Sequence, residues 1–298
     1  MKKEPEISIR VITYNHEKYI SKCLDGIVRQ ITDIPYEIII GDDASDDNTL
    51  KICDSYKRRY DNIDFIIISN PSNIGAQENG KRALASCRGK YIALCEGDDY
   101  WCDDHKLQIQ YNYLEKHPEI IISGHDAFIV DSDDNIIKES KLPDQYKRDY
   151  SSEELILGKA WILSMSWMFR RVDINNIPER RMILNGDTFL LSVLGQYGGS
   201  HYHKDIKPAA YRVHESSVWS SLSQKEKNIS EINTWFWISR YYQRIGSVAY
   251  FKYYWLKYLK SVFDATNIID LSVVYLKSIL SIKRIKRLTL YIFRIQSK

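Results

Sequence analysis

Residues 88–101 read RGKYIALCEGDDYW: a polar turn, an unbroken apolar run, then three acids around a glycine and two aromatics. A short apolar run bounded by turn residues, as at 91–95, is the pattern of a strand buried on both faces of a parallel sheet. The acids that follow then sit at the strand's carboxyl end. That is where open α/β sheets bind their ligands.

Working outward, three earlier runs have the same strand character: 7–13, 36–40 and 65–68. Helical patterns separate them. After Asn15, read as an N-cap, Tyr19, Ile20, Cys23, Leu24, Ile27 and Val28 recur at helical spacing. Further helices are expected over 48–60 and 76–87. Four β-α units in series imply right-handed crossovers and a mostly parallel sheet covered on both faces. Their strand ends are TYN at 13–15, DDASDDNT at 42–49, NPSNIG at 70–75 and EGDDYW at 96–101, all expected on one rim. Beyond Trp101 the alternation stops. The pattern there predicts a helix over 104–116, a strand at 120–123, a hairpin over 127–138 around DSDDN and an apolar run over 161–171. A helix over 187–197 and a strand at 209–213 follow.

The five cysteines are odd in number and show no Cys-x-x-Cys spacing, which argues against a disulfide framework or zinc site and fits a reducing cytoplasm. The start, MKKEPEISIR, holds no long apolar run, so no signal peptide is expected. No stretch reaches the roughly 18 uncharged apolar residues of a membrane span. The expected location is cytoplasmic or peripheral to a membrane. A net charge of +3 hides an asymmetry: residues 224–298 carry 14 Lys and Arg against 4 Asp and Glu, and the remainder carries 28 against 35. A division near residue 223 is therefore expected, an acidic body followed by a basic, aromatic-rich helical extension.

Carboxylates crowded at parallel strand ends repel one another unless a cation joins them. Mg²⁺ and Mn²⁺ suit such a place, since they take one or two carboxylates and complete their shell with water and diphosphate oxygens. Asp98 and Asp99 are the natural ligands. In DDASDDNT a carboxylate is placed to accept from a base or ribose, while Ser45 and Asn48 are placed to cap the next helix. The run lacks the glycine and glutamate of a calcium loop and follows a strand, which excludes that reading.

These motifs, in this order, resemble the donor domain of family 2 glycosyltransferases, with their GT-A fold. The resemblance covers about residues 6–115 closely and continues loosely to about 223. It implies that the segment matching Thr13, Tyr14 and Asn15 contacts the nucleotide base, and that the carboxylate matching Asp42, with Asp43 and Ser45 beside it, binds uracil or ribose. Asn73 and Gly75 match a donor-side turn that leads to Asn79. The family's Asp-x-Asp region falls on residues 96–99, with Glu96 where an aspartate is common. The family often has an arginine before the residue matching Asn79; here Glu78 stands there, so Lys81 or Arg82 is expected to meet the phosphate charge. The resemblance also implies inverting transfer with Asp187 as the base, at a helix start, although Gly186 replaces the first acid of the family's pair. Helix capping is the competing reading of Asp187. His214, in YRVHESSVW, is read as a third metal ligand, as a contact to the diphosphate through an imidazole nitrogen, or as a structural histidine. Trp101 and Trp219 have two readings, stacking on a sugar face and core packing. Met165, Trp167 and Met168 are read as acceptor-side lining or as an apolar strand.

The implied partners are a nucleotide-sugar donor, probed first as a UDP-sugar, and a glycan or lipid-linked saccharide acceptor in surface polysaccharide synthesis, capsule or lipopolysaccharide. The Gln-x-x-Arg-Trp motif of processive synthases is missing, which implies one or few sugars per encounter. The tail places Tyr275, Ile279, Ile282, Ile285, Leu288 and Ile292 at helical spacing with basic residues mostly opposite. That face suits an anionic membrane, the catalytic domain or a second subunit of a homo-oligomer. An acidic body without a binding module argues against nucleic acid. The rival readings are an inactive carbohydrate- or nucleotide-binding scaffold and a sugar-phosphate nucleotidylyltransferase. The latter opens with a Gly-rich loop where this chain has TYNHEKY.

Overall fold

The computed structural model describes residues 3–174, 176–215 and 222–265. It divides into two compact units, Met1–Ser223 and Gln224–Lys298. In the first unit β1 (Ile7–Thr13), α1 (Ile20–Val28), β2 (Tyr36–Asp42), α2 (Thr49–Arg59), β3 (Asp64–Ser69), α3 (Ala76–Ala85) and β4 (Tyr91–Glu96) alternate as the sequence predicts. Strands β3, β2, β1 and β4 lie side by side and parallel. Register fixes the rim: Thr13 is level with Asp42, Asp42 with Ser69, and Ile12 with Glu96. The apolar residues of these strands, Ile7, Ile9, Val11, Ile38, Ile40, Ala93 and Cys95 among them, form one core with the inner faces of α1 and α2. The chain is thus a GT-A-type α/β fold with a mostly parallel central sheet.

The sheet also buries a carboxylate. Glu37 is fully buried and accepts hydrogen bonds from Ser8 Oγ at 2.5 Å and from the backbone N–H and Nε of Arg88, both at 2.8 Å. Arg88 also pairs with Asp64. A buried carboxylate is tolerable only when its lone pairs are met. Arg88→Ala is expected to lower stability by about 2 kcal/mol, read from urea unfolding. An unchanged midpoint would mean that Ser8 and the backbone donor suffice.

Past β4 the sheet becomes mixed. After α4 (Lys106–Lys116) come β5 (Ile120–Gly124), β6 (Ala127–Val130), β7 (Ile136–Lys138), α5 (Ser152–Ile156), β8 (Met168–Arg170), α6 (Gly186–Leu194), β9 (Gly199–Tyr202) and β10 (Ala209–Arg212). Strand β8 enters antiparallel between β4 and β5, and β9 pairs parallel to β5. Strands β10, β6 and β7 make a second small sheet. The expected 127–138 hairpin is β6–β7. Strand β9 has the sequence GSHY, without apolar alternation, so periodicity does not announce it. The 161–171 run is mostly loop, with a 3₁₀ turn at Ser164–Ser166 before β8. Met165, Trp167 and Met168 are 1% exposed or less, so they are core and line no acceptor surface.

The second unit contains α7 (Gln224–Arg244) and α8 (Val248–Ala265). They pack through aromatic rings, Trp235 and Tyr242 stacking on Tyr254 at centroid distances of 5.7 and 5.8 Å. The stripe from Tyr275 to Ile292 lies outside the described residues. Among the described residues, no helix is long and apolar enough to cross a membrane.

Candidate active site

The loop after β1 is shaped by close approach. A Cβ on Gly97 would come within 2.9 Å of Thr13 Cβ and 3.0 Å of His16 Nδ1, so only glycine lets the end of β4 pass the TYNH segment. Asn15 adopts a left-handed φ of 54°. It is no helix cap, since α1 starts at Ile20 behind Tyr19. Instead its Oδ1 accepts from the Asp46 N–H at 3.0 Å and its own N–H donates to Ser45 Oγ at 2.9 Å. The His16 N–H donates to Thr49 Oγ1 at 2.9 Å. The loops after β1 and β2 are thereby tied together, and His16 stands over the acidic turn that follows β4.

There, one ligand atom each from His16, Asp98 and His214 lies within 4.8 Å of the others. His214 Nε2 is 3.0 Å from Asp98 Oδ2. His16 Nδ1 is buried with no hydrogen-bond partner. Burial lowers the His16 pKa despite the nearby Asp98, which favours the neutral imidazole that ligates metals. For Asp98, burial works to raise the pKa, but the His214 hydrogen bond and His16 hold it below the ordinary value. An orphaned imidazole nitrogen, a second imidazole and an ionised carboxylate fit a divalent cation, and the nitrogen donors suit Mn²⁺ better than Mg²⁺.

Arg212 builds this corner. It is 2% exposed. Its N–H donates to Asp99 Oδ1 at 2.8 Å, its Nε to the Asp98 carbonyl at 2.9 Å and its Nη2 to Asp134 Oδ1 at 2.5 Å. Its guanidinium lies 4.6 Å from the centre of the Tyr19 ring. A bridge between Tyr100 and Ala210 holds β10 beside the acidic turn, so His214, two residues past Arg212, reaches Asp98.

A cavity of about 660 Å³ opens on this rim, a size in the range of small-ligand sites. Thr13, Tyr14, Asn15, Asp43, Asn73, Gly75, Asn79, Lys81, Asp98, Asp99 and Asp187 all line it. Thr13 Oγ1 has no partner. Asp43 accepts from Asn70 Nδ2 at 2.9 Å and from the Ile74 N–H at 2.8 Å. Gly75 has a φ of 87°, so the turn into α3 needs a glycine there. Asn79 donates to the Gly41 carbonyl at 2.8 Å, and Lys81 pairs with Glu78 at 3.2 Å.

Asp187 is the second residue of α6. The cap of that helix is Asn185, whose side chain accepts from the Thr188 N–H at 3.2 Å, so the helix start does not call on Asp187. The Asp187 side chain is open to the cavity but surrounded by protein, and burial raises its pKa, opposed by Arg10 and a hydrogen bond from Ser164. Burial also pushes Glu96 up to about 7, against the pull of Arg10. Arg10 Nη2 donates to Glu96 Oε1 at 3.1 Å. Sequence reasoning missed His16, Arg212 and Arg10. Arg10 had a signal, a lone charge in the otherwise uncharged ISIRVIT strand.

Several expectations need correction. Asp42 is fully buried and committed to Ser45, whose Oγ donates at 2.5 Å, and to Ser69 at 3.2 Å, so Asp43 rather than Asp42 meets the cavity. Ser45 serves that same network and caps nothing, and Asn48 makes no side-chain cap. Asp99 is outside the three-residue ligand group. It is 4% exposed, and burial with Asp98 and Glu96 beside it raises its pKa well above the carboxylate range. Trp101 is fully buried, its Nε1 donating to the Met165 carbonyl at 2.7 Å and its ring under Lys106 Nζ at 4.1 Å. No face is left for a sugar. Trp101→Ala is expected to lower stability by about 3–5 kcal/mol in thermal or chemical unfolding; a change in donor affinity with stability intact would restore the stacking reading. Trp219 lies outside the described residues.

Residues 8–175 match the sequence profile of glycosyl transferase family 2. An uncharacterized protein of Mycobacterium tuberculosis is 38% identical over 217 residues, 72% of this chain and 61% of the relative, so this chain spans about three fifths of that length. The dTDP-rhamnosyl transferase RfbG of Shigella flexneri is 29% identical over 222 residues, 72% of this chain and 75% of the relative. The chondroitin synthase of Escherichia coli is 37% identical over 241 residues, 78% of this chain and 33% of the relative. Among solved structures, S. aureus TarS 1–349 with UDP superposes with a TM-score of 0.58 at 18% identity, over 79% of this chain and 65% of that one. The mannosyltransferase PcManGT of Pyrobaculum calidifontis, with GDP-Man and Mn²⁺, gives 0.57 at 14% identity, over 94% and 81%. At such identities the superpositions speak for the GT-A fold alone, whereas the profile covers more than half of the chain: it belongs to glycosyl transferase family 2, among relatives of polysaccharide-synthesising enzymes.

Proposed function

We propose that this chain is an inverting, metal-dependent glycosyltransferase that moves a sugar from a nucleoside diphosphate, UDP first, to a glycan or lipid-linked saccharide in surface polysaccharide synthesis. One observation carries the reading. A carboxylate freed from capping, Asp187, lines the same cavity as His16 and Asp98, two of the three members of the ligand group that His214 completes. In this reading Asp187 takes the proton of an acceptor hydroxyl as that oxygen bonds the anomeric carbon and the bond to the diphosphate breaks with its electron pair. His16, Asp98 and His214 would hold a divalent cation, which would supply stabilisation of the negative charge on the departing diphosphate. Thr13 Oγ1 and Asp43 are placed to position the nucleoside, and Arg212 fixes Asp98 through its carbonyl. Two neighbours in fold bind UDP and GDP-Man, which supports a nucleotide donor. The helical unit, with Ile229, Val248, Leu256 and Phe263 exposed on basic helices and Ile245 exposed between them, is proposed to hold the enzyme at an anionic membrane on the cytoplasmic side.

The test is nucleotide release from a panel of UDP- and GDP-sugars, with Mn²⁺ and with a chelator. Metal-dependent release from one donor is expected. Nucleotide binding without any release, whatever the donor and acceptor, points instead to a binding scaffold.

A further inference from the structure

Five carboxylates and three cations line the cavity, yet two of the cations keep guanidinium donors unmet. Arg10, from β1, and Arg180, from the 3₁₀ turn Pro178–Arg181, both line it. Arg10 is 89% buried by its side chain's 11% exposure and is satisfied on one side by Glu96; its Nε is buried with no partner. Room for its guanidinium comes from Gly80 in α3, where a Cβ would stand 3.3 Å from Arg10 Nη1. Arg180 donates to the Ile174 carbonyl at 3.4 Å, and among the described residues no carboxylate lies within ion-pair distance of it. Glu78, whose charge acts on it, is already bonded to Lys81. Burial, and after it the charge of Arg10, pull the Arg180 pKa down to about 10.

Two guanidiniums with unmet donors lining one cavity are costly, because their hydration is lost without a partner in return. An arrangement of this kind is relieved when the ligand brings a negative group, and arginine is the side chain suited to bind a carboxylate with two parallel hydrogen bonds. The place in the cavity narrows the anion. Arg10 is bonded to Glu96 at 3.1 Å and acts on Asp187, the base of the reading above, whereas the diphosphate in that reading belongs at His16, Asp98 and His214.

The geometry points to a donor whose sugar carries a carboxylate, a hexuronic acid, read by Arg180 with Arg10 behind it. This rests on the transferase reading and names the class of sugar that site takes. The test is calorimetric titration of the full chain with Mn²⁺, using UDP, UDP-glucose and UDP-glucuronate, and GDP, GDP-mannose and GDP-mannuronate. The wild type is expected to bind the uronate at least about tenfold tighter than its neutral counterpart, the worth of one charge-assisted hydrogen bond. Arg180→Leu removes that preference and leaves the bare nucleotide's affinity within about twofold, while Arg180→Lys keeps part of the preference. Equal affinity for the two sugars in the wild type overturns the proposal. So does a loss in Arg180→Leu that is as large for UDP or GDP as for the uronate, because that assigns the arginine to the phosphate. Failure of every nucleotide to bind removes the donor site itself, a distinct result that takes this proposal with it.

Discussion

Asp187→Asn is expected to lower turnover by about 10²–10⁴-fold, the usual worth of a positioned general base, while metal-dependent nucleotide binding stays near wild type. The amide keeps the size and polarity of the side chain, and Asn185 goes on capping α6, so the helix start is undisturbed. What changes is the ability to take a proton from the acceptor. Single-turnover release with acceptor present separates that loss from weak binding. The pH profile adds a second reading. Burial raises the Asp187 pKa above the ordinary value, Arg10 opposing, and the base works only when ionised. Activity therefore falls as pH drops through a value higher than a free aspartate's, roughly 3.9. The shift is tempered because the side chain is open to cavity water. Turnover that survives Asp187→Asn would remove this residue as the base and leave the transferase assignment standing.

Asp98→Asn is expected to abolish metal-dependent donor binding and to lower turnover on the order of 10³-fold, since several kcal/mol of charge stabilisation at the leaving group go with the cation. His16→Gln is the sharper comparison. Outer partners of a metal site alone are worth about 10–100-fold in affinity, so losing a direct ligand is expected to weaken Mn²⁺ by at least that much. Asp99→Asn is expected to leave Mn²⁺ affinity nearly unchanged, because the Asp99 carboxylate faces the Arg212 N–H and stands outside the ligand group. Free Mn²⁺ followed by its paramagnetic resonance signal during titration orders the three variants directly. Mn²⁺ binding that is lost with Asp99 and kept with His16 changed would reverse the assignment.

The contrast between Asp98 and Asp99 shows why the two halves of the site differ in how much the sequence discloses. Both acids stand in one turn after a buried strand, and local pattern gives them equal standing. Residues distant in the chain separate them: Arg212 donates its N–H to Asp99 and its Nε to the Asp98 carbonyl, and His214 meets the Asp98 carboxylate. Asp42 and Asp43 repeat the case. Strand alternation turns Asp42 into a buried network with Ser45 and Ser69 and leaves Asp43 at the cavity. A one-residue difference in facing is invisible to a motif whose acids are adjacent. Trp101 was equally open in the sequence, and the close pass of Gly26 settles it. A Cβ on that glycine would come within 2.7 Å of the Trp101 carbonyl, so this stretch of chain is pressed into α1 and not toward a ligand.

The sequence by itself determined the parallel half of the sheet, its four strand ends and the family. Those features depend on short apolar runs and on turn residues placed locally between them, and each is legible within about ten residues. Tertiary structure alone decided which acids hold a cation, that His16 joins them, that Asn185 rather than Asp187 caps α6, and that Arg10 from β1 comes to rest beside Glu96. The physical reason is that ligation, capping and charge pairing depend on atoms brought within a few ångströms by strand register and by the return of β10 to the acidic turn. No periodicity along the chain encodes those distances.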